Sequence, residues 1–159
     1  MNQSIQASMG SQPAHTHAFA RPMRPLRFLL ADGCRQSRMG VTAVLARWGI
    51  LPTVACNGAQ AVRIVEQHDF DFVLMEILMP EMDGAVATAR IRQFEREHPA
   101  RAPVPIVAHT ALDLASVRVC LARIGLSAVL PKPCGADALR ACLQQWCRDP
   151  VAPARTAAH

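Results

Sequence analysis

Asp32, Glu76, Thr110 and Lys132 each stand at or just past the end of a short apolar run. The runs are Leu26–Ala31, Phe72–Met75, Val104–Ala108 and Ser127–Leu130. Such runs, lacking polar alternation, read as strands buried on both faces. A carboxylate can act as a nucleophile or a cation ligand, a hydroxyl donates hydrogen bonds, and a lysine neutralises negative charge. Open α/β sheets place their ligands at the carboxyl ends of their strands. The signal is strongest at Glu76, where Phe72-Val73-Leu74-Met75 stops at the carboxylate. A turn-rich loop with Pro80 then runs from Leu78 to Gly84, and Asp83-Gly84 opens the next helix.

These four groups share one edge only if their strands are parallel, and the elements between them predict that. Gln36 to Trp48 has apolar residues at Met39, Val41, Val44, Leu45 and Trp48, a helical spacing closed by Gly49. Leu51 to Ala55 is a second strand, with Pro52 favouring an edge position. Asn57-Gly58 caps a helix from Ala59 to Gln67, and Asp83-Gly84 starts one reaching about Glu97. Further helices are expected from about Asp113 to Ile124, ended by Gly125, and from Ala136 to about Arg148. Five strands alternate with five helices, which predicts a doubly wound α/β fold with a parallel sheet.

The 159 residues suit one domain, and 51% hydrophobic content is enough for a core. With 4% aromatics and no Tyr, that core is mainly aliphatic. The formal charge of +5 is carried by scattered Arg rather than a basic run, which favours a solvated surface over a nucleic-acid site. No run reaches the length of a membrane span, and no signal peptide is evident. The six cysteines show no Cys-x-x-Cys spacing and read as reduced cytosolic thiols. Residues 1–24 and 149–159 read as disordered tails around a domain of residues 25–148. His15 and His17 are too few for a metal site in such a tail.

The stretch from Phe72 to Gly84 resembles the receiver domain of bacterial response regulators. That family has an apolar run, Met-Asp, two residues, and Met-Pro-x-Met-Asp-Gly, and the Asp accepts a phosphoryl group. The resemblance covers about Leu26 through Trp146 and implies a flavodoxin-like sheet of strand order 2-1-3-4-5. It implies that Glu76 stands in the phosphoacceptor position and that Asp32 is the first member of an acidic pair. Thr110 takes the place of the switch hydroxyl and Lys132-Pro133 that of the charge-neutralising Lys-Pro. It also implies a Mg²⁺ site of Asp32, Glu76 and the carbonyl of Leu78. Phosphoryl transfer needs these groups together: nucleophile, metal ligands, hydroxyl and cation.

Three departures stand out. The second acid is Gly33, which removes a carboxylate from the metal site. Glu76 is one methylene longer than Asp, and a misplacement of about 1 Å can cost on the order of a hundredfold in rate. The switch aromatic, three residues before the lysine, is Val129. These changes imply a degenerate, stand-alone and non-enzymatic receiver, with no Mg²⁺ or a weak site, in which Glu76 contacts Lys132 directly. Its expected partners are a sensor histidine kinase, a phosphotransfer protein or a downstream output protein in the cytoplasm. A functional Mg-dependent phosphoacceptor is the first alternative, and a basic nucleic-acid-binding protein the second. His109 reads as an ordinary polar loop residue at the rim. Cys34 and Cys134 fall near the same edge and are unreactive thiols by default.

Overall fold

Apolar runs flanked by turn residues become the strands, and the amphipathic segments between them become the helices. The computed structural model describes residues 24–113 and 123–147. In chain order these are β1 (Phe28–Ala31), α1 (Arg35–Ala46), β2 (Thr53–Ala55), α2 (Gly58–Gln67) and β3 (Phe72–Met75). Then come α3 (Gly84–Glu97), β4 (Ile106–Thr110), β5 (Ala128–Pro131) and α4 (Ala136–Trp146). The strands form one parallel sheet of order β2-β1-β3-β4-β5, as expected. Four of the five expected helices are present among the described residues. The other, from about Asp113 to Ile124, falls largely outside them, although Arg123 and Ile124 are helical. Both expected tails also lie outside the described residues, except Arg24.

Successive strand residues point to opposite faces, so the sheet feeds two cores. On one face Leu29, Ala31, Val73, Met75, Ile106 and Ala108 meet Val62 and Val65 of α2 and Ala87 and Ile91 of α3. On the other, Phe28, Leu30, Phe72, Leu74, Val107 and Leu130 meet Val41 and Leu45 of α1 and Leu139 and Leu143 of α4. The central strands β1, β3 and β4 are buried along their whole length, which is why their sequences lack alternation. Strand β2 is the edge, with Thr53 and Val54 exposed.

Helix ends follow local chemistry. Asn57 accepts from the Gln60 N–H at 2.8 Å, and Asp83 from the Val86 N–H at 2.8 Å. Gly49 after α1 and Gly125 before β5 take positive φ values of 74° and 82°, which favour glycine. Arg24 forms a two-point contact with Asp71 at 2.7 and 2.6 Å, and the Arg27 backbone N–H also bonds Asp71 at 2.9 Å. Those contacts tie the start of β1 to the start of β3.

One expectation needs correction. His109 and Thr110 belong to β4 and not to the loop after it, and His109 is only 3% exposed rather than at the rim. The cause is tertiary: β5 pairs Leu130 with His109 and Pro131 with Thr110, and Lys132 N–H donates to the Thr110 carbonyl at 2.9 Å.

Candidate functional site

Parallel pairing brings the carboxyl ends of β1, β3, β4 and β5 to one edge. The Asp32 N–H donates to the Ala55 carbonyl at 3.1 Å, and the Glu76 N–H to the Ala31 carbonyl at 2.8 Å. These bonds extend the sheet ladder just past the strands and hold both acids at the same level. Asp32 is 1% exposed and Glu76 7%.

Every carboxylate oxygen of the two acids is engaged. Asp32 Oδ1 accepts from the Cys34 N–H at 2.8 Å. Its Oδ2 accepts from Ser37 Oγ at 2.6 Å and from Lys132 Nζ at 2.6 Å. Glu76 folds back on its own loop, where Oε1 accepts from the N–H groups of Ile77 at 2.7 Å and Leu78 at 3.1 Å. Its Oε2 lies 2.5 Å from Lys132 Nζ. One ammonium therefore bridges two buried carboxylates, and the expected direct Glu76–Lys132 contact is present. The set carries a net charge of about −1.

The electrostatics follow from that geometry. Burial works against the charge of Asp32, but hydrogen bonds from Lys132, Ser37 and Cys34 outweigh it and leave the carboxyl below its ordinary 3.8. Burial also works against the Lys132 ammonium, but the bonds to Asp32 and Glu76 outweigh it and hold the amine above 10.5. His109 is pushed below 6.5, first by burial and then by the Lys132 charge, although Asp32 and Glu76 pull the other way.

Thr110 reaches the same edge, 1% exposed, and its hydroxyl oxygen accepts from the Leu112 N–H at 3.3 Å. Val129 is half-buried and packs on the α2/α3 side. Leu78 is 66% exposed, with its N–H turned to Glu76. At Gly33 a Cβ would lie 2.8 Å from Pro80 Cδ, so the β3–α3 loop rests against the bare glycine. That loop is further held by Gly58 N–H to the Met82 carbonyl at 3.0 Å and Gly84 N–H to the Ile77 carbonyl at 2.8 Å. Within it Glu81 takes a positive φ of 63°.

Sequence reasoning missed the roles of Ser37 and Arg38, and it placed Cys134 near this edge without its partner. Ser37 lies one turn into α1, where its hydroxyl reaches back to Asp32, and a polar residue on that turn was the available signal. Arg38 Nη1 donates to the Asp32 carbonyl at 2.6 Å. Cys134 Sγ lies 3.3 Å from His109 Nε2, a contact that no local pattern announces.

A resident Mg²⁺ would need oxygen ligands close to octahedral. The edge offers two carboxylates, with the Lys132 ammonium already against an oxygen of each. Among the described residues no group of three or more His, Cys, Asp or Glu is placed to hold a metal. The donors at this edge fit such an ion poorly.

Fold, edge and motif order together define a receiver domain. The chain belongs to the response regulator receiver domain family, which matches residues 28–144. It is 33% identical over 112 residues to the chemotaxis protein CheY of Bacillus subtilis, covering 70% of this chain and 88% of that protein. It is 31% identical over 136 residues to the sensor histidine kinase GacS of Pseudomonas protegens, covering 86% of this chain but 14% of the kinase. For the transcription factor SKN7 of Candida albicans the figures are 37% over 106 residues, 67% of this chain and 18% of the factor. The chain thus spans under a fifth of these two longer relatives.

Among solved structures, it is similar to the receiver domain of the Pseudomonas aeruginosa sensor histidine kinase PA1611, whose structure has magnesium coordinated in the active-site cleft. The TM-score there is 0.68 at 32% identity, covering 77% of this chain and 98% of that one. It is also similar to a chain in the Saccharomyces cerevisiae complex of the phosphotransfer protein Ypd1 with the Ssk1 receiver domain. That match has a TM-score of 0.72 at 25% identity, covering 77% and 88%. No helix among the described residues is long and apolar enough to cross a membrane.

Proposed function

We propose that this receiver domain is a pseudo-receiver. It signals in a two-component or phosphorelay pathway by protein–protein contact, without an Asp phosphorylation cycle and without enzymatic activity of its own. The observation that carries the reading is the full engagement of Glu76. One carboxylate oxygen is held by the Ile77 and Leu78 N–H groups and the other by Lys132. A nucleophile must present a free oxygen to the incoming phosphorus, and here one is turned into the loop and the other lies against the ammonium. The same donors suit an anion at the end of β3, so the carboxylate supplies in place the negative charge that a phosphoryl group would bring. The mimicry is partial, with a charge of −1 against about −2.

Loss of an acid at Gly33 and the lysine between Asp32 and Glu76 support an edge that holds Mg²⁺ weakly or not at all. The partner is a sensor histidine kinase, a phosphotransfer protein or an output protein. The Ypd1–Ssk1 complex supports the second of these. The contact face we assign is the exposed side of α1, near Arg35 and Arg38. Helix α1 contains no acidic residue, so an acidic patch on the partner complements it.

The test is incubation with a small phosphodonor and Mg²⁺, followed by intact mass and by binding to a phosphotransfer protein. The expected result is no phosphoryl adduct and binding that ignores the donor. An adduct whose formation changes the affinity would make this an ordinary phosphoaccepting receiver.

A further inference from the structure

His109 has no place in the chemistry above, yet it occupies the middle of the molecule. It lies in β4 on the same face as Val107, which packs in the α1/α4 core. It is 3% exposed, and its Nδ1 is buried without a hydrogen-bond partner. Such orphaned groups are uncommon in folded proteins and call for a cause. Its Nε2 lies 3.3 Å from Cys134 Sγ. Cys134 is two residues beyond Lys132 and packs with Cys142 against the cluster containing Leu139 and Leu143 of α4. The ring is therefore anchored in β4 and grips the segment that carries the ammonium.

We propose that His109 is a positioning residue for Lys132: through Cys134 it holds the β5–α4 segment so that the ammonium stays shared between Asp32 and Glu76. The inference rests on the reading of Lys132 as the cation that fixes Glu76. A neutral imidazole has one N–H and one lone pair, so Nε2 can accept the thiol proton or donate to the sulfur. A protonated ring can no longer accept, and it adds a second cation beside Lys132. The charged and titratable groups around it are Lys132 and Cys134 after β5, Asp32 after β1 and Glu76 after β3. Burial and Lys132 keep the ring neutral against the pull of the two acids. The strength of the grip thus depends on the protonation of a residue outside the hydrogen-bonded set.

The chain helps its own test, because Lys132 is the only lysine in the sequence. Its Cε and Hε signals in a labelled sample report a single side chain. In wild type these signals should shift below neutral pH with the same midpoint as the His109 ring signals. His109→Leu should abolish that shift. Cys134→Val should displace the lysine signals at neutral pH, and Cys134→Ser, which keeps a hydroxyl donor, should restore them. Circular dichroism identifies any variant that fails to fold, and the Cys134 pair then carries the test. Lysine signals that ignore both His109→Leu and Cys134→Val overturn the proposal. Glu76→Gln separates the two readings: if it leaves the lysine signals unmoved, the Glu76–Lys132 contact itself is wrong. If it moves them while the His109 and Cys134 variants do not, only the positioning role falls.

Discussion

Lys132 Nζ stands 2.5 Å from Glu76 Oε2, joining the end of β5 to the end of β3 across β4. The same nitrogen stands 2.6 Å from Asp32 Oδ2, so the ammonium closes three strand ends into one charged cluster. Removing any one of the three leaves a different remainder, and the expected losses differ accordingly.

Lys132→Met leaves two buried carboxylates facing each other with no cation. Breaking a buried pair by deleting one partner costs about 3–5 kcal/mol, and the lower end applies because the lysine side chain is 18% exposed. Urea denaturation at neutral pH should show a loss of about 3 kcal/mol.

Glu76→Gln keeps an oxygen for the Ile77 and Leu78 N–H groups but removes the charge facing Lys132, which retains Asp32. The expected loss is about 1.5–3 kcal/mol, the scale of one hydrogen bond to a charged group. Under the pseudo-receiver reading it also weakens partner binding, which a calorimetric titration measures. Unchanged affinity would remove Glu76 from the signalling role.

Stability should form a plateau in pH. The depressed pKa of Asp32 means its contribution is present above its ordinary 3.8 and is lost as pH falls through the lower folded value. The depressed value of His109 acts in the same direction, with stability present above 6.5 and declining below it. The raised value of Lys132 contributes fully below 10.5 and is lost as pH rises through the higher folded value. Chemical denaturation across pH should therefore fall off on the acid side in two stages. His109→Leu should remove the one nearer neutrality.

Gly33→Asp restores the missing acid only if the β3–α3 loop yields, since its Cβ would meet Pro80 Cδ at 2.8 Å. Overpacking of this kind costs about 1–3 kcal/mol. Under the pseudo-receiver reading, the double change Gly33→Asp with Glu76→Asp should gain Mg²⁺ affinity and phosphoryl uptake from a small donor relative to wild type. Intact mass and a Mg²⁺ titration followed on the lysine signals read the two effects. A double variant that stays inert would mean that the loop position, and not the two side chains, disables the edge.

The sequence by itself determined the layers, the parallel order and the four residues that stand at the strand ends. Uninterrupted runs such as Phe72–Met75 have one stable use, a strand covered on both faces, and the helical segments between them enforce parallel crossovers. Asp32, Glu76 and Lys132 were legible because a strand end fixes where its next residue goes. The partners each side chain takes were decided only by the tertiary structure. His109 looked like a loop residue because nothing local shows that β5 pairs beyond Ala108, and that pairing is what buries it against Cys134. Nor does local sequence show that Glu76 turns onto the Ile77 and Leu78 N–H groups while Thr110 turns to Leu112. Those choices depend on which donors three separate strands bring within about 3 Å, a distance set by register and loop packing.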